Sequence, residues 1–315
     1  MTTPCRTRCR TPTEHIEHIE NEGPNVMAER GRNRIVVGYD GSDASVGALD
    51  AALTMADRVG ASVDVVTTWR WPTSWSAPPT GSSWSPLHDA EEIRGHAEEQ
   101  IGRERLDAGT VTTRSVEGGA AQVLVDSASG AALLVVGSRG RGGFRGLLLG
   151  SVSTACMQHA PCPVMIHRNP TRPVTGSGTI VVGVDGSGES WDALRFALTV
   201  AGRLGSPVRT VTSWEWPTAL NRDEPPFDHW SPDADATATA ARALDVAADL
   251  VGDDVQVTSE TAEGPTAEVL IEAGRDAAFL VLGNRGLGGF RGLLIGSVSQ
   301  ECAQHATCPV VVHRA

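Results

Sequence analysis

A seventeen-residue glycine-rich stretch occurs twice in the chain, 146 residues apart, and divides the sequence into two similar halves. Residues 137–153 read GSRGRGGFRGLLLGSVS and residues 283–299 read GNRGLGGFRGLLIGSVS. Three positions differ between the copies: Ser138/Asn284, Arg141/Leu287 and Leu149/Ile295. A repeat this long and this similar predicts that the chain folds as two copies of one architecture, and 315 residues suit two domains.

Short β-branched runs alternate with helical patterns in each half. In the first half we predict strands over 34–38, 62–69, 111–117, 132–136 and 163–167. Apolar spacing and charge patterns predict helices over 43–58, 88–107, 120–129 and 151–159. This alternation predicts an α/β fold in which helices cover both faces of a parallel sheet. Right-handed crossovers then give each half a Rossmann-like, doubly wound sheet, most simply in the order 3-2-1-4-5.

The domain boundaries follow from composition. Residues 1–32 are rich in Thr, Arg, Pro and Glu and have no apolar period, so we expect a disordered N-terminal extension. Met27 begins the stretch that leads into the first strand, and we expect residues 1–26 to precede the natural start. The two domains are predicted at 33–167 and 179–315, joined by a Pro/Gly/Ser-rich linker at 168–178.

Charge and hydropathy argue against two classes of partner. The formal net charge is −12 at pH 7, whereas nucleic acids and anionic membrane surfaces attract a basic face. No apolar run approaches the length that spans a bilayer, and no signal-peptide core stands near the N-terminus. We therefore expect a soluble cytoplasmic protein that binds neither nucleic acid nor membrane.

Two cysteine pairs recur at the same spacing, Cys156/Cys162 and Cys302/Cys308. Small buried thiols are the favoured interpretation, because cysteine is among the most buried residue types. A zinc site would need closer pairs or added histidines. A disulfide within each pair stays open, although a reducing compartment disfavours it.

The chain contains no lysine, which removes lysine-based phosphate binding and catalysis. The GxxxxGK[ST] loop therefore cannot occur. A GxGxxG dinucleotide fingerprint fails as well, because Arg145 and Arg291 stand where its third glycine would be.

The glycine loops are the candidate binding sites. Their glycines follow the pattern G-x2-G-x9-G-S, ending at Gly150-Ser151 and Gly296-Ser297. Glycine allows a positive φ and brings backbone N–H groups to a ligand without an intervening Cβ. Such N–H groups, and the start of the helix that follows, favour an anion. The alternative is a loop that only turns the chain.

One acidic residue ends the first strand of each half, Asp40 in the first and Asp185 in the second. Each is expected at the crevice where open α/β sheets bind ligands. The carboxylate could hold a divalent metal on a phosphate or bond a ribose hydroxyl. It could equally belong to an Asp-Gly turn that caps the next helix. Thr68 and Ser213, which end the second strands, could border a base pocket.

These motifs together resemble the universal stress protein family, over residues 33–315. The resemblance rests on VGYDGS and VGVDGS, on the two G-x2-G-x9-G-[ST] loops, and on the closing runs CPVMIH and CPVVVH. It implies a tandem protein of Rossmann-like domains and, for members with this loop, ATP binding. It also implies a nucleotide-dependent regulator of a stress or growth-arrest response.

The resemblance carries the binding residues over by motif, each site having its own aspartate and helix-capping serine. The first site is then Gly38, Asp40, Thr68, Gly137, Ser138, Arg139, Gly140, Arg141, Gly142, Gly143, Gly150, Ser151 and Val152. The second is Gly183, Asp185, Ser213, Gly283, Asn284, Arg285, Gly286, Leu287, Gly288, Gly289, Gly296, Ser297 and Val298. Arg141 opposite Leu287 gives the first loop an extra cation, and we expect the two affinities to differ.

Three functional hypotheses stay open at this point. The first is an ATP-binding regulator, because no convincing base or nucleophile accompanies the loops. The second is a slow Mg²⁺-dependent ATP-hydrolysing enzyme, with Asp40 and Asp185 holding the Mg²⁺ and loop arginines stabilising charge. The third is an AMP- or flavin-binding relative on the same fold.

The closing strands predict how the halves associate. In the family this strand commonly pairs two domains edge to edge. Here 164–167 and 310–313 could pair within the chain as a built-in pseudo-dimer, which would cover two apolar edges. Two such chains could then form a homodimer.

Overall fold

The computed structural model describes residues 33–71, 85–102, 105, 110–142, 148–168, 178–216, 231–288 and 294–314. The predicted N-terminal extension and most of the predicted linker lie outside these residues. The domain boundaries therefore stay predictions.

The first half contains five strands and four helices within the described residues. They are β1 (Arg34–Gly38), α1 (Asp43–Val59), β2 (Ser62–Trp69), α2 (Pro86–Ile101), β3 (Val111–Glu117), α3 (Ala120–Ser127), β4 (Leu133–Gly137), α4 (Ser151–His159) and β5 (Val164–His167). Strands β1, β2 and β3 have the predicted bounds. Helix α2 begins two residues before its predicted start, because the Ser85 hydroxyl accepts from the His88 N–H and a proline follows at the first turn.

The second half repeats this order. Its elements are β6 (Ile180–Gly183), α5 (Gly188–Leu204), β7 (Val208–Trp214), α6 (Pro232–Val251), β8 (Val257–Glu263), α7 (Thr266–Ala273), β9 (Phe279–Gly283), α8 (Ser297–His305) and β10 (Val310–His313). The long crossover helices start and stop alike in both halves. Ser42 and Ser187 cap the N-termini of α1 and α5, and Gly60 and Gly205 end them in the left-handed conformation, with φ of 64° and 65°.

All ten described strands form one sheet, in the order β3-β2-β1-β4-β5-β10-β9-β6-β7-β8. Each half has the predicted order 3-2-1-4-5, and every pair within a half is parallel. The halves meet at β5 and β10, which pair antiparallel with Met165 opposite Val311. The closing strands thus pair within the chain, as expected. Because this pair is antiparallel, the carboxyl ends of the two sets of strands lie at opposite edges of the sheet.

Helices cover both faces of the sheet. On one face α1, α2, α5 and α6 pack on a core that includes Leu49, Leu194 and Phe279. On the other face α3, α4, α7 and α8 enclose a second core around Leu134 and Leu280. None of the helices described is both long enough and apolar enough to cross a bilayer.

The repeated cysteines are buried and form no disulfide, as the favoured interpretation predicts. Burial raises the pKa of Cys156 to about 12, that of Cys162 to about 11 and that of Cys302 to about 12. The described part of the chain has no group of three or more His, Cys, Asp or Glu residues arranged for a metal. These thiols therefore serve as small apolar side chains.

Candidate functional site

A cavity of about 520 Å³ opens at the carboxyl ends of β1, β2 and β4. Its walls come from the three strand ends, the glycine loop, and the first turns of α3 and α4. The lining residues are Gly38, Tyr39, Asp40, Ser45, Val66, Thr68, Ala120, Leu124, Val136, Gly137, Arg139, Gly140, Gly142, Gly150, Ser151, Val152 and Ser153. A cavity of this size is typical of small-molecule sites.

Asp40 ties the end of β1 to the glycine loop. Its Oδ1 accepts from the Ser42 hydroxyl at 2.6 Å and from the Ser42 N–H at 3.0 Å. Its Oδ2 accepts from the Arg141 N–H at 2.9 Å. Asp40 therefore has the turn role that the sequence left open. It also bonds to the glycine loop, because Arg141 lies 101 residues further along the chain.

Asp185 makes the same three contacts in the second half. Its Oδ1 accepts from the Ser187 hydroxyl at 2.6 Å and N–H at 3.0 Å, and its Oδ2 accepts from the Leu287 N–H at 2.9 Å. Each aspartate is therefore held to its glycine loop by the same bonds, although Leu287 stands in place of Arg141. We call the aspartate, its glycine loop and the start of the helix that follows the cradle of each half.

Hydrogen bonds keep Asp40 charged. Burial alone would raise its pKa, but the bonds from the Ser42 side chain, the Arg141 N–H and the Ser42 N–H outweigh burial, so the pKa lies below its ordinary value. A carboxylate with a lowered pKa contributes stability above its unfolded-state pKa and loses it as the pH falls through the folded-state pKa.

We expect Asp40→Asn to cost about 1–2 kcal/mol of unfolding free energy at pH 7, because charge-assisted bonds are lost. Wild-type stability should fall as the pH drops below about 4, where free aspartate titrates, and the variant should show a smaller fall. Urea unfolding at pH 7 and at pH 3 measures both. Asp43→Asn, at an exposed carboxylate in the first turn of α1, is the control. If the stability of Asp40→Asn falls as steeply with pH as that of wild type, Asp40 is not a source of the pH dependence.

Close approach to the aspartate requires a glycine at one position in each loop. A Cβ on Gly140 would lie 2.4 Å from Asp40 Oδ2, and one on Gly286 would lie 2.4 Å from Asp185 Oδ2. Glycine also allows a positive φ, but none of the loop glycines that the structure describes has one. Steric exclusion of a Cβ explains the glycines at 140 and 286 better than conformational freedom of the backbone does.

The start of α4 forms one end of the cavity. Its N-cap is Gly150, and the first bond within the helix runs from the Thr154 N–H to the Gly150 carbonyl at 3.0 Å. The N–H groups of Ser151, Val152 and Ser153 precede that bond, and all three residues line the cavity. Ser151 is the first helical residue of α4 and not its cap. In α8 likewise, Gly296 is the cap and Ser297 is the first helical residue. The expectation of helix-capping serines at these positions is therefore wrong.

Two predicted residues are buried at the start of their glycine loops, and Ser138 does not line the cavity of the first half. Ser138 is 3% exposed, and its N–H donates to the His167 carbonyl at 2.7 Å. Asn284 is 5% exposed and makes the same bond to the His313 carbonyl at 2.8 Å. Both residues anchor the loop on the last strand of their half. Gly143 and Gly289 lie outside the described residues.

The other predicted residues take the following places. Arg139 lines the cavity, and the Arg141 guanidinium donates to the Gly41 carbonyl at 3.4 Å. Gly38 lies under Leu124, and Gly183 lies under Leu270 and Leu282. The Ser213 hydroxyl donates to the Thr266 hydroxyl at 2.8 Å. Gly283 packs against the Glu189 backbone, Leu287 is 74% exposed, and a Cβ on Gly288 would meet open space.

Sequence reasoning missed several residues of the cavity. The Ser153 hydroxyl donates to the Gly137 carbonyl at 2.7 Å, and Ser45 is buried beside Asp40. The apolar wall was also missed, although alternation along β2 places Val66 on the same side as Thr68 and could have found it. The remaining missed residues are Tyr39, Ala120, Leu124 and Val136.

The continuous sheet and the two glycine loops define a tandem Rossmann-like α/β protein. The family model described as the universal stress protein family matches residues 31–168 and again residues 177–314. The chain therefore belongs to the universal stress protein family, with two of its domains in tandem, and the resemblance seen in the sequence is confirmed.

Individual relatives agree with this assignment. A universal stress protein of Mycolicibacterium smegmatis is 33% identical over 297 residues, which cover 89% of this chain and 96% of the relative. One of Mycobacterium tuberculosis (strain H37Rv) is 32% identical over 247 residues, covering 75% and 80%. A solved universal stress protein structure from Archaeoglobus fulgidus matches with a TM-score of 0.63 at 20% identity, covering 90% of this chain and 98% of that one. This structural likeness supports the fold.

Proposed function

We propose that the protein is an ATP-binding, nucleotide-dependent regulator of a stress or growth-arrest response, with one nucleotide-binding cradle in each half. The observation that carries this proposal is the cavity in which a glycine loop, a helix N-terminus and Arg139 line the carboxyl ends of the strands, with Arg141 on the same loop beside Gly41. Each of these features favours a phosphate group at the same place.

The phosphate end of the ligand would lie on α4. Three backbone N–H groups at Ser151, Val152 and Ser153 have no partner within the helix, and the positive end of the helix dipole adds to them. A Cβ at Gly142 would meet no atom within 4 Å, so phosphate oxygens could approach the loop there. Arg139 and Arg141 supply the charge that a triphosphate needs.

The nucleoside end of the ligand would lie between β2 and α3. Val66, Leu124 and Val136 give the cavity an apolar wall, and Thr68 borders it at the end of β2. An apolar slot with polar groups at its rim suits a planar base. AMP, flavin and cyclic nucleotides share parts of this chemistry, so mass spectrometry of ligand released from the purified protein is the first measurement.

Mg²⁺ fits this cradle only together with the nucleotide. Both acceptor positions of Asp40 Oδ1 are used by Ser42, whereas Oδ2 accepts one bond, from Arg141, and keeps a further acceptor position. Mg²⁺ commonly takes one or two carboxylates and completes its shell with phosphates and water. Asp40 in the first half and Asp185 in the second would each supply one oxygen. The ion would screen the phosphates and keep them in one orientation.

The cavity supports binding better than hydrolysis. The titratable residues among its described lining are Tyr39, Asp40 and Arg139. Hydrogen bonds lower the pKa of Asp40 despite its burial, so it is a weak base, and its oxygens already hold the loop. Nucleotide occupancy, rather than turnover, is then the signal that the protein conveys.

Titration calorimetry with ATP and Mg²⁺ tests the proposal. Ser151→Glu with Ser297→Glu places a carboxylate at each phosphate position, on exposed first-turn residues where a glutamate favours the helix. We expect at least roughly a hundredfold loss of affinity, because two like charges meet in each cradle. Ser151→Ala with Ser297→Ala keeps the backbone N–H groups and should lose far less. Absence of ATP binding by the wild type at millimolar concentration would contradict the proposal. Turnover that disappears in Asp40→Ala with Asp185→Ala would favour the enzyme instead.

A further inference from the structure

We propose, resting on the nucleotide binding proposed above, that the two cradles take ligands of different phosphate charge. The first is a nucleoside triphosphate site and the second a nucleoside monophosphate site, and Glu189 is the residue that sets the difference. The protein would then bind the triphosphate and the monophosphate at separate sites instead of binding the same nucleotide twice.

The two cradles differ in side chains on a common backbone. Asp40 and Asp185 make the same three bonds, and a Cβ added to Gly140 or Gly286 would lie at the same 2.4 Å from the carboxylate. The Gly150 N–H donates to the Ser138 carbonyl at 2.8 Å, and its counterpart Gly296 donates at 2.7 Å. Differences in ligand preference must therefore come from the charges around this backbone.

Glu189 neutralises the arginine of the second loop. It lies in the first turn of α5, and its Oε1 accepts from Arg285 Nη2 at 3.1 Å. The corresponding position in the first half is Ala44, in the first turn of α1. Within the described parts of the chain, no carboxylate lies within ion-pair distance of Arg139, the counterpart of Arg285. Arg139 is thus available to a ligand, whereas Arg285 is already engaged.

The second arginine of the first loop has no equivalent. Arg141 is exposed, and its guanidinium donates to the Gly41 carbonyl at 3.4 Å, a long bond that phosphate oxygens could replace. The second loop has Leu287 here, 74% exposed. An exposed leucine adds no attraction for the outer phosphates of a triphosphate.

A further arginine follows the last strand of each half, Arg168 after β5 and Arg314 after β10. Arg168 Nη1 donates to the Ala303 carbonyl of the other half at 3.3 Å, and Arg314 Nη1 donates to the Gln158 carbonyl. These two arginines are common to both halves and do not distinguish the cradles.

The charged groups on the described parts of the two loops, with the carboxylates that bond to them, therefore have opposite balances. Arg139 and Arg141 outweigh Asp40 in the first half, whereas Asp185 and Glu189 outweigh Arg285 in the second. ATP carries two more phosphoryl groups than AMP, and their charge is attracted in the first cradle and repelled in the second. The helix N-terminus common to both still accepts a single phosphate.

Single-site variants allow each cradle to be titrated alone. Ser297→Glu blocks the second site and leaves the first, and Ser151→Glu does the reverse. Calorimetry of each variant with ATP and with AMP gives four dissociation constants. We expect Ser297→Glu to bind ATP at least roughly tenfold more tightly than AMP, as one extra favourable charge pair near the surface allows. Ser151→Glu should bind AMP at least as tightly as ATP.

Exchanging the distinguishing residues should exchange the preference. Glu189→Ala with Leu287→Arg, in the Ser151→Glu background, should raise the ratio of ATP to AMP affinity about tenfold or more. Ala44→Glu with Arg141→Leu, in the Ser297→Glu background, should lower it by a similar factor. Glu189→Gln keeps the size of the side chain and removes its charge. It should therefore give part of the increase in the ratio of ATP to AMP affinity without disturbing the fold.

The outcomes separate this inference from the proposed function. If both cradles bind ATP with the same preference over AMP, the charge difference does not select the ligand, while ATP binding stands. If the preference differs but the exchange variants leave it unchanged, Glu189 and Arg141 are not its cause and the inference fails. If neither nucleotide binds to either single-site variant or to wild type, the proposed function fails and the inference with it.

Discussion

Met165→Glu is expected to destabilise the protein by about 3–5 kcal/mol, since it buries an unpaired carboxylate where the two halves join. Met165 is fully buried on β5 and lies opposite Val311 of β10, which is 1% exposed. Both side chains belong to the core under α1 and α5. A loss of this size is a large part of the stability of an ordinary domain. Urea unfolding followed by circular dichroism measures it.

Two further variants test the cause of this loss. Met165→Leu nearly conserves the volume and should cost less than about 1.5 kcal/mol. Val311→Lys alone should be as harmful as Met165→Glu, but the two together should recover at least about 1 kcal/mol relative to the sum of their separate costs, because opposed residues on one face interact directly. Additive costs would mean that the closing strands do not pair in this register in solution.

The sheet order could be predicted from the sequence because it depends on local patterns and a general rule of handedness. The β-branched runs at 34–38, 62–69 and 111–117 are bounded by turn residues, and the structure gives these strands the same bounds. The duplication then extended the prediction to the second half. The pairing of β5 with β10 was expected from the resemblance and not from either strand alone, because an apolar edge does not specify its partner.

The candidate site was predicted less completely, since its side chains meet through tertiary structure. Arg285 and Glu189 are 96 residues apart in the chain, and no local pattern indicates that they form an ion pair. Asp40 was placed at the crevice correctly, but its bond to the Arg141 N–H depends on how the loop folds back over β1. Glycine patterns indicate where the chain comes close to something, and only the structure tells what that neighbour is.

The neighbours of the loop glycines predict how three alanine substitutions in the first loop rank in their cost to stability. A Cβ on Gly137 would lie 2.8 Å from the backbone carbon of Ala44 and 3.0 Å from its oxygen, so α1 and β4 would have to separate. A Cβ on Gly140 would meet only the end of the Asp40 side chain, which can turn away and lose its bond to Arg141. A Cβ on Gly142 would meet open space.

We therefore expect Gly137→Ala to cost about 2–3 kcal/mol, as overpacking against backbone does, and Gly140→Ala about 1–2 kcal/mol for the lost hydrogen bond. Gly142→Ala should leave stability within about 0.5 kcal/mol or raise it slightly, because alanine restricts the unfolded chain. Thermal and urea unfolding of the three variants measure the order. A Gly142→Ala variant that is stable but binds ATP at least roughly tenfold more weakly would locate the phosphates over that glycine. Equal costs at all three positions would contradict the steric explanation of the loop.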